Sequence, residues 1–207
     1  MLLVVFGELF REVTSHTGMT NTLDPWLANA VAAHRLAWLA RALSVLTWLG
    51  SSVFLIPLCI VVAGWLWRSH RTLRPAVNLA LAIGGAAALY DLVKPLVGRM
   101  RPPAALQYGA PDTDFAFPSG HATQSASFYA MLVVVLTNWV WPHRRVLLSL
   151  VVALIVAIVA MARIYLGVHW LTDVLAGLAL GLAWFSMLMA LMAGASIPSS
   201  SRSPSTP

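Results

Sequence analysis

Residues 45 to 67 carry no charged side chain, and that feature narrows the folds open to this chain more than any other. A helix of about 20 apolar residues matches the ~30 Å hydrocarbon core of a bilayer, where every backbone N–H and C=O must be satisfied within the segment. This run is expected to be a transmembrane helix, with Trp48 at one end and Trp65 and Trp67 at the other, where interfacial aromatics belong. Comparable runs cover residues 76–93, 122–141, 146–162 and 174–197. Composition agrees, since 59% of the 207 residues are hydrophobic and 10% charged, against about 25% charged in a soluble domain. The expected fold class is all-α, a polytopic transmembrane helical bundle of five full spans.

The ends are expected to differ from this core. Residues 1–13 are apolar but short, broken by Glu8, Arg11 and Glu12, and lack the basic start and cleavage site of a signal peptide. They read as an interfacial segment or the stump of a sixth span. Residues 23–42 mix apolar positions with Asp24, His34, Arg35 and Arg41, and Asp24-Pro25 looks like a helix start, so an amphipathic surface helix is expected. The chain divides into a 1–44 N-terminal portion, a 45–197 membrane domain, and a Ser/Pro-rich tail over 198–207 expected to be disordered.

The formal charge is +6, but the Arg residues are scattered through short turns and form no basic face, so a nucleic-acid partner is not expected. Cys59 is the single cysteine, which excludes an intramolecular disulfide and a cysteine zinc site. Alternation of spans puts the Arg-bearing turns at 68–74 and 143–145 on one side, and the polar stretches 94–121 and 163–173 on the other. The positive-inside rule assigns the first side to the cytoplasm and the second to the extracytoplasmic face.

Three groups of polar residues gather on that second side, and ionisable residues at span mouths are functional candidates. Lys94 and Arg101-Pro102, with six residues between them, form the first. Cations at span ends often just snorkel to the interface, but two on a proline-stiffened segment suit a phosphoryl group. Phe117-Pro118-Ser119-Gly120-His121 is the second. Ser119 has an ordinary reading as a helix cap, yet free N–H groups at a helix start, with Gly120 allowing close approach, also hold an anion. In the third, Arg163, His169 and Asp173, the His and Asp are four apart and share a helical face. Asp173 has a plain role in the first turn of a helix; alternatively it orients His169 as a nucleophile or base. Three cations nearby make a poor metal site.

In this order and spacing, Lys94-x6-Arg101-Pro102, Pro118-Ser119-Gly120-His121 and Arg163-x5-His169-x3-Asp173 resemble the signature motifs of the type 2 phosphatidic acid phosphatase family. One departure is Ala162, where the family's third motif usually has Ser. The resemblance implies a metal-independent, cofactor-free membrane hydrolase acting on a lipid phosphate or diphosphate. His169 would form a phosphohistidine, Asp173 orient it, and His121 protonate the leaving oxygen. Lys94, Arg101, Arg163, Ser119 and the amides near Gly120 would hold the phosphate. Asp91, one helical turn before Lys94, is expected to support its ammonium as an ion-pair partner. The resemblance ranks undecaprenyl diphosphate first as substrate, then phosphatidate or phosphatidylglycerophosphate. Membrane lipids are the only other partners implied, and oligomeric state is left open. The contrasting reading is a catalytically silent transport or assembly protein; such a protein is expected to have lost His169 or His121, and both are present.

Overall fold

In a computed structural model, which describes residues 1–137 and 142–194, the chain is helical, with no strand among those residues. Eight α-helices follow in order: α1 (Leu2–Ser15), α2 (Leu23–Ala33), α3 (Ala37–Leu46), α4 (Ser52–His70), α5 (Arg74–Val97), α6 (Gly120–Thr137), α7 (Pro142–Tyr165) and α8 (Leu171–Gly194). Of these, α4, α5, α7 from Arg144 and α8 are long and apolar enough to cross a membrane.

Several boundaries differ from the sequence reading. The first span starts at Ser52 rather than residue 45, because Ser51 takes an extended conformation and its hydroxyl accepts the Val53 N–H. The surface helix expected over 23–42 is two helices, α2 and α3, broken at His34–Leu36. Arg35 at that break donates to Tyr165 O and Leu106 O, closing the carbonyl end of α7. The second span runs on through Pro95 to Val97 and ends at Gly98, which adopts φ 62°. The end of the third expected span, residues 195–197 of the fifth, and the 198–207 tail lie outside the described residues.

The helix α6 is the centre of the bundle. Its first half is polar, with Thr123, Gln124, Ser125 and Ser127 all buried. That polarity explains why it stands apart from the four apolar spans. Neighbours satisfy its groups, as when Ser127 Oγ donates to Ala82 O and Tyr129 OH to Leu49 O, both at 2.9 Å. Close approach to α8 depends on Gly177 and Gly181. A Cβ at these positions would lie 2.7 Å from Ser119 O and 2.3 Å from Thr123 O, so the two form a small-residue seam of the kind that lets membrane helices touch. Of the adjacent Gly84 and Gly85 in α5, only Gly85 serves a close approach: it receives the Trp184 ring, while a Cβ at Gly84 meets nothing within 4 Å.

The N-terminal helices pack on the bundle. The helix α1, at 14 residues, is only about 21 Å long, too short to span. Its Leu9 and Val13 bury against Phe117 and Ala176, with Phe6 and Phe10 alongside. This connectivity brings the C-terminal ends of α5 and α7 to the same end of the bundle as the N-terminal ends of α6 and α8. Arg68, Arg71, Arg74, Arg144 and Arg145 fall at the opposite end.

Candidate active site

The turn between α7 and α8 carries His169. Gly167 makes it possible, with φ 71° and a Cβ position only 2.2 Å from Leu106 O. An L side chain is strained in that backbone region, and here it would also collide with the neighbouring loop. Trp170 caps α8, and the Asp173 carboxylate reaches back to accept its N–H at 2.9 Å, as in the acidic half of a capping box.

His169 is buried, and its two ring nitrogens face different partners. Nε2 lies 3.1 Å from Arg101 Nη1, and because a guanidinium only donates, Nε2 must present its lone pair. The proton therefore sits on Nδ1, which faces Asp173 Oδ2 at 3.5 Å. That separation is too loose for a formed hydrogen bond, and Nδ1 has no hydrogen-bond partner among the described residues. Burial first, and then the positive charges of Arg163, Arg101 and Lys94, hold the His169 imidazole well below its ordinary pKa. The outcome is a neutral imidazole whose Nε2 electron pair faces the Arg101 guanidinium at 3.1 Å.

The three predicted cations are brought together, and each meets a carboxylate. Arg163 Nη2 and Arg101 Nη1 bind Asp112 Oδ2 at 2.9 and 3.1 Å. Arg101 Nη2 binds Asp114 Oδ1 at 2.6 Å, and Lys94 pairs with Asp114 as well. The Lys94 partner is thus Asp114 rather than Asp91, which makes no ion pair among the described residues. Burial pushes the Asp114 carboxyl up, but Lys94 and Arg101 together outweigh it and hold its pKa at about 2. Arg101 is further fixed by donating to Val168 O at 2.6 Å and Asp114 O at 2.9 Å.

A cavity of about 340 Å³ opens onto Lys94, Arg101, Gly120, His121, Arg163 and His169. Its other wall is made of Ser51, Ser52, Tyr90, Asp91 and Gln124. There Ser52 Oγ donates to Gln124 Oε1 at 2.9 Å and Gln124 Nε2 to Tyr90 OH at 3.3 Å. Ser119 stands at the start of α6, but its hydroxyl does not cap. Ser119 Oγ and Arg163 Nε are buried without a hydrogen-bond partner among the described residues. Buried orphans of this kind cost on the order of 1–3 kcal/mol each, so they mark a place where an acceptor belongs. Ala162, the departure in the third motif, is wholly buried.

The sequence reading missed four charged residues, two at this cavity and two behind His169. Asp112 and Asp114 lie in the polar stretch 94–121 and carry no local cue. Asp24 was read as a helix start, yet it lies in the first turn of α2 and is buried, accepting from Thr172 N at 3.1 Å and Arg99 Nη2 at 2.7 Å. Arg99, inside the spacing between Lys94 and Arg101, donates from Nη1 to Asp173 Oδ1 at 2.5 Å.

The sequence pattern of the PAP2 superfamily matches residues 75–196. The chain belongs to this superfamily. Among PAP2 relatives, phosphatidylglycerophosphatase B of Bacillus subtilis (strain 168) is 30% identical over 176 residues, covering 84% of this chain and 85% of the relative. The undecaprenyl-diphosphatase of Sulfolobus acidocaldarius is 32% identical over 134 residues, 62% of this chain and 60% of its own. The crystal structure of a transmembrane PAP2 type phosphatidylglycerolphosphate phosphatase from Bacillus subtilis superposes with a TM-score of 0.86 at 27% identity, over 93% of this chain and 94% of that one. These PAP2 relatives are membrane lipid phosphatases, and the apolar helices make the present chain a multi-pass membrane protein.

Proposed function

We propose that this PAP2 protein hydrolyses a lipid phosphate monoester through a phosphohistidine at His169. The observation that carries the reading is the pairing of Nε2, a neutral lone pair at the cavity wall, with Lys94, Arg101 and Arg163 around the same space. Nε2 attacks phosphorus, the bond to the lipid oxygen breaks, and His121 delivers a proton to that oxygen. Water then attacks the phosphohistidine, with His121 taking its proton, and inorganic phosphate leaves. Phosphoryl transfer needs little from the protein beyond positioning and neutralising the phosphate oxygens. The three cations, Ser119 Oγ and the amides near Gly120 supply that. Asp173 Oδ2, which faces Nδ1 at 3.5 Å, closes on the Nδ1 proton as positive charge develops on the ring and offsets that charge.

The leaving group lies on the His121 side. Gln124 is one helical turn further along α6, so the wall of Gln124, Tyr90, Ser52 and Asp91 faces it. That wall offers hydroxyls, an amide and a carboxylate, with the Lys94 ammonium 5.6 Å from the Tyr90 ring, which suits a leaving group that carries hydroxyls, such as the glycerol of phosphatidylglycerophosphate. The extent of the match to phosphatidylglycerophosphatase B supports the same choice. Undecaprenyl diphosphate, ranked first from sequence, becomes the second reading, supported by the undecaprenyl-diphosphatase among the relatives.

We read the site as facing the extracytoplasmic side, and the charge distribution supports it. Arg35 and Arg99 at the site end are bound to protein partners, which leaves Arg41 there against Arg68, Arg71, Arg74, Arg144 and Arg145 at the opposite end as the topological signal. Phosphate release from purified protein in detergent, offered phosphatidylglycerophosphate, phosphatidate and undecaprenyl diphosphate in turn, tests the function. Fastest release from the first is expected. Release from none overturns the enzyme reading, and fastest release from the diphosphate overturns the substrate assignment.

A further inference from the structure

Behind His169, on the side away from the cavity, two acids share one arginine. Asp173 Oδ1 accepts from Arg99 Nη1 at 2.5 Å, and Asp24 Oδ2 accepts from Arg99 Nη2 at 2.7 Å. Both carboxylates are fully buried, with 0% side-chain exposure. Thr172 completes the set: its hydroxyl accepts from Arg99 at 2.7 Å and donates to Asp24 Oδ2 at 2.5 Å, while its N–H donates to Asp24 Oδ1. Arg99 does not line the phosphate cavity; it borders a separate recess with Trp170, Val97 and Asn21.

Two carboxylates and one guanidinium leave one negative charge. If Arg99 faced Asp173 alone, the pair would be neutral, and the positive charge developing on His169 would meet no net counter-charge from behind the ring, while Asp112 and Asp114 on the cavity side are already taken by Lys94, Arg101 and Arg163. We infer that Asp24 and Arg99 are positioning residues for the nucleophile: Arg99 fixes the Asp173 carboxylate, and Asp24 restores the negative charge that Arg99 would otherwise cancel. This inference rests on the phosphohistidine reading above. It also places a working residue of the site in α2, outside the 75–196 segment that matches the superfamily.

The charge count makes the test specific. Formation of phosphohistidine is followed in single turnovers quenched in alkali, with inhibition by inorganic phosphate measured in parallel as a probe of the cavity. In Asp24→Asn, which keeps the acceptor for Thr172, formation slows on the order of tenfold to a hundredfold, as for a small misplacement of reacting groups. Phosphate inhibition stays within about twofold, since Asp24 does not line the phosphate cavity. The double variant Asp24→Asn/Arg99→Gln restores the count to minus one, so its rate recovers several-fold over Asp24→Asn alone, a non-additivity that direct coupling produces. A merely structural role makes the double variant the slowest of all. That outcome, an unchanged rate in Asp24→Asn, or parallel loss of phosphate inhibition overturns the inference. Absence of phosphohistidine in the unaltered protein overturns the catalytic reading itself, and the inference with it.

Discussion

Asp112 Oδ2 lies 2.9 Å from Arg163 Nη2, so a carboxylate of the long α5–α6 connection rests on a cation assigned to substrate phosphate. Asp114 does the same to Lys94 and Arg101. An incoming phosphate must exchange for these carboxylates. Both acids are substantially exposed, and such pairs contribute about 0–1 kcal/mol. Asp112→Asn should therefore tighten competitive inhibition by inorganic phosphate about two- to fivefold. Weaker inhibition would mean that Asp112 helps to hold the cations in their binding positions.

Removing the nucleophile has a larger effect. His169→Ala should lower turnover on the order of a thousandfold or more, with no phosphohistidine trapped in alkali. Near-normal turnover would reassign the attacking group.

The depressed proton affinity of His169 has a definite sign. A free histidine takes up its proton near pH 6.5, whereas the folded site keeps Nε2 neutral to lower pH. A histidine NMR signal that vanishes in His169→Ala should still show a neutral ring at about pH 5.5; a protonated ring there would contradict the electrostatics. By linkage, the unfolded chain gains that proton and the folded one does not, so His169 costs stability progressively as pH falls below about 6.5. Asp114 behaves oppositely. Its ion pairs are fully present above the ordinary carboxylate pKa of about 3.9 and are lost only as pH falls toward about 2, so acidification to about pH 5.5 should leave the loop contacts in place.

Helix packing gives a contrast within one protein. Gly181→Val should lower stability by about 1–3 kcal/mol through overpacking against Thr123, read as a lower thermal midpoint in detergent. Gly84→Ala, with nothing near its Cβ, should leave the midpoint unchanged or raise it slightly, since Ala favours the helix by about 1 kcal/mol. Equal effects would argue against the seam.

A cysteine at the exposed Thr113, with Cys59 replaced by Ala, should react with a membrane-impermeant maleimide in intact cells. Labelling only after permeabilisation would reverse the proposed orientation.

Much of this architecture was legible because its cues are local. Lys94, Arg101, His121, Arg163 and His169 sit at span ends in fixed spacings, and the structure collects all five on one cavity. What escaped was non-local. Asp24 meets residues 75 and 148 positions away, and Asp24-Pro25 has a sufficient local explanation as a helix start. Arg99 sits within the first motif's spacing but is silent there, because its partners lie in α2 and α8. Asp91 was misassigned for the opposite reason: helical spacing put it within reach of Lys94, but Asp114, on a connection whose path no periodicity predicts, reaches the ammonium instead. The α6 boundary was clear, whereas its centrality was not, since a half-polar helix is tolerated only when neighbours supply partners.

Gly177 and Gly181 have a consequence for rate as well as for stability. They set how closely α8 approaches α6, and Ser119 N donates to Asp173 O at 3.0 Å across that junction. The helix starts bearing His169 and His121 are thereby held in register, so the interval between the proposed nucleophile and proton donor is calibrated by a contact between α6 and α8. Lipid thickness or lateral pressure that loosens the contact would detune turnover without altering a residue of the site.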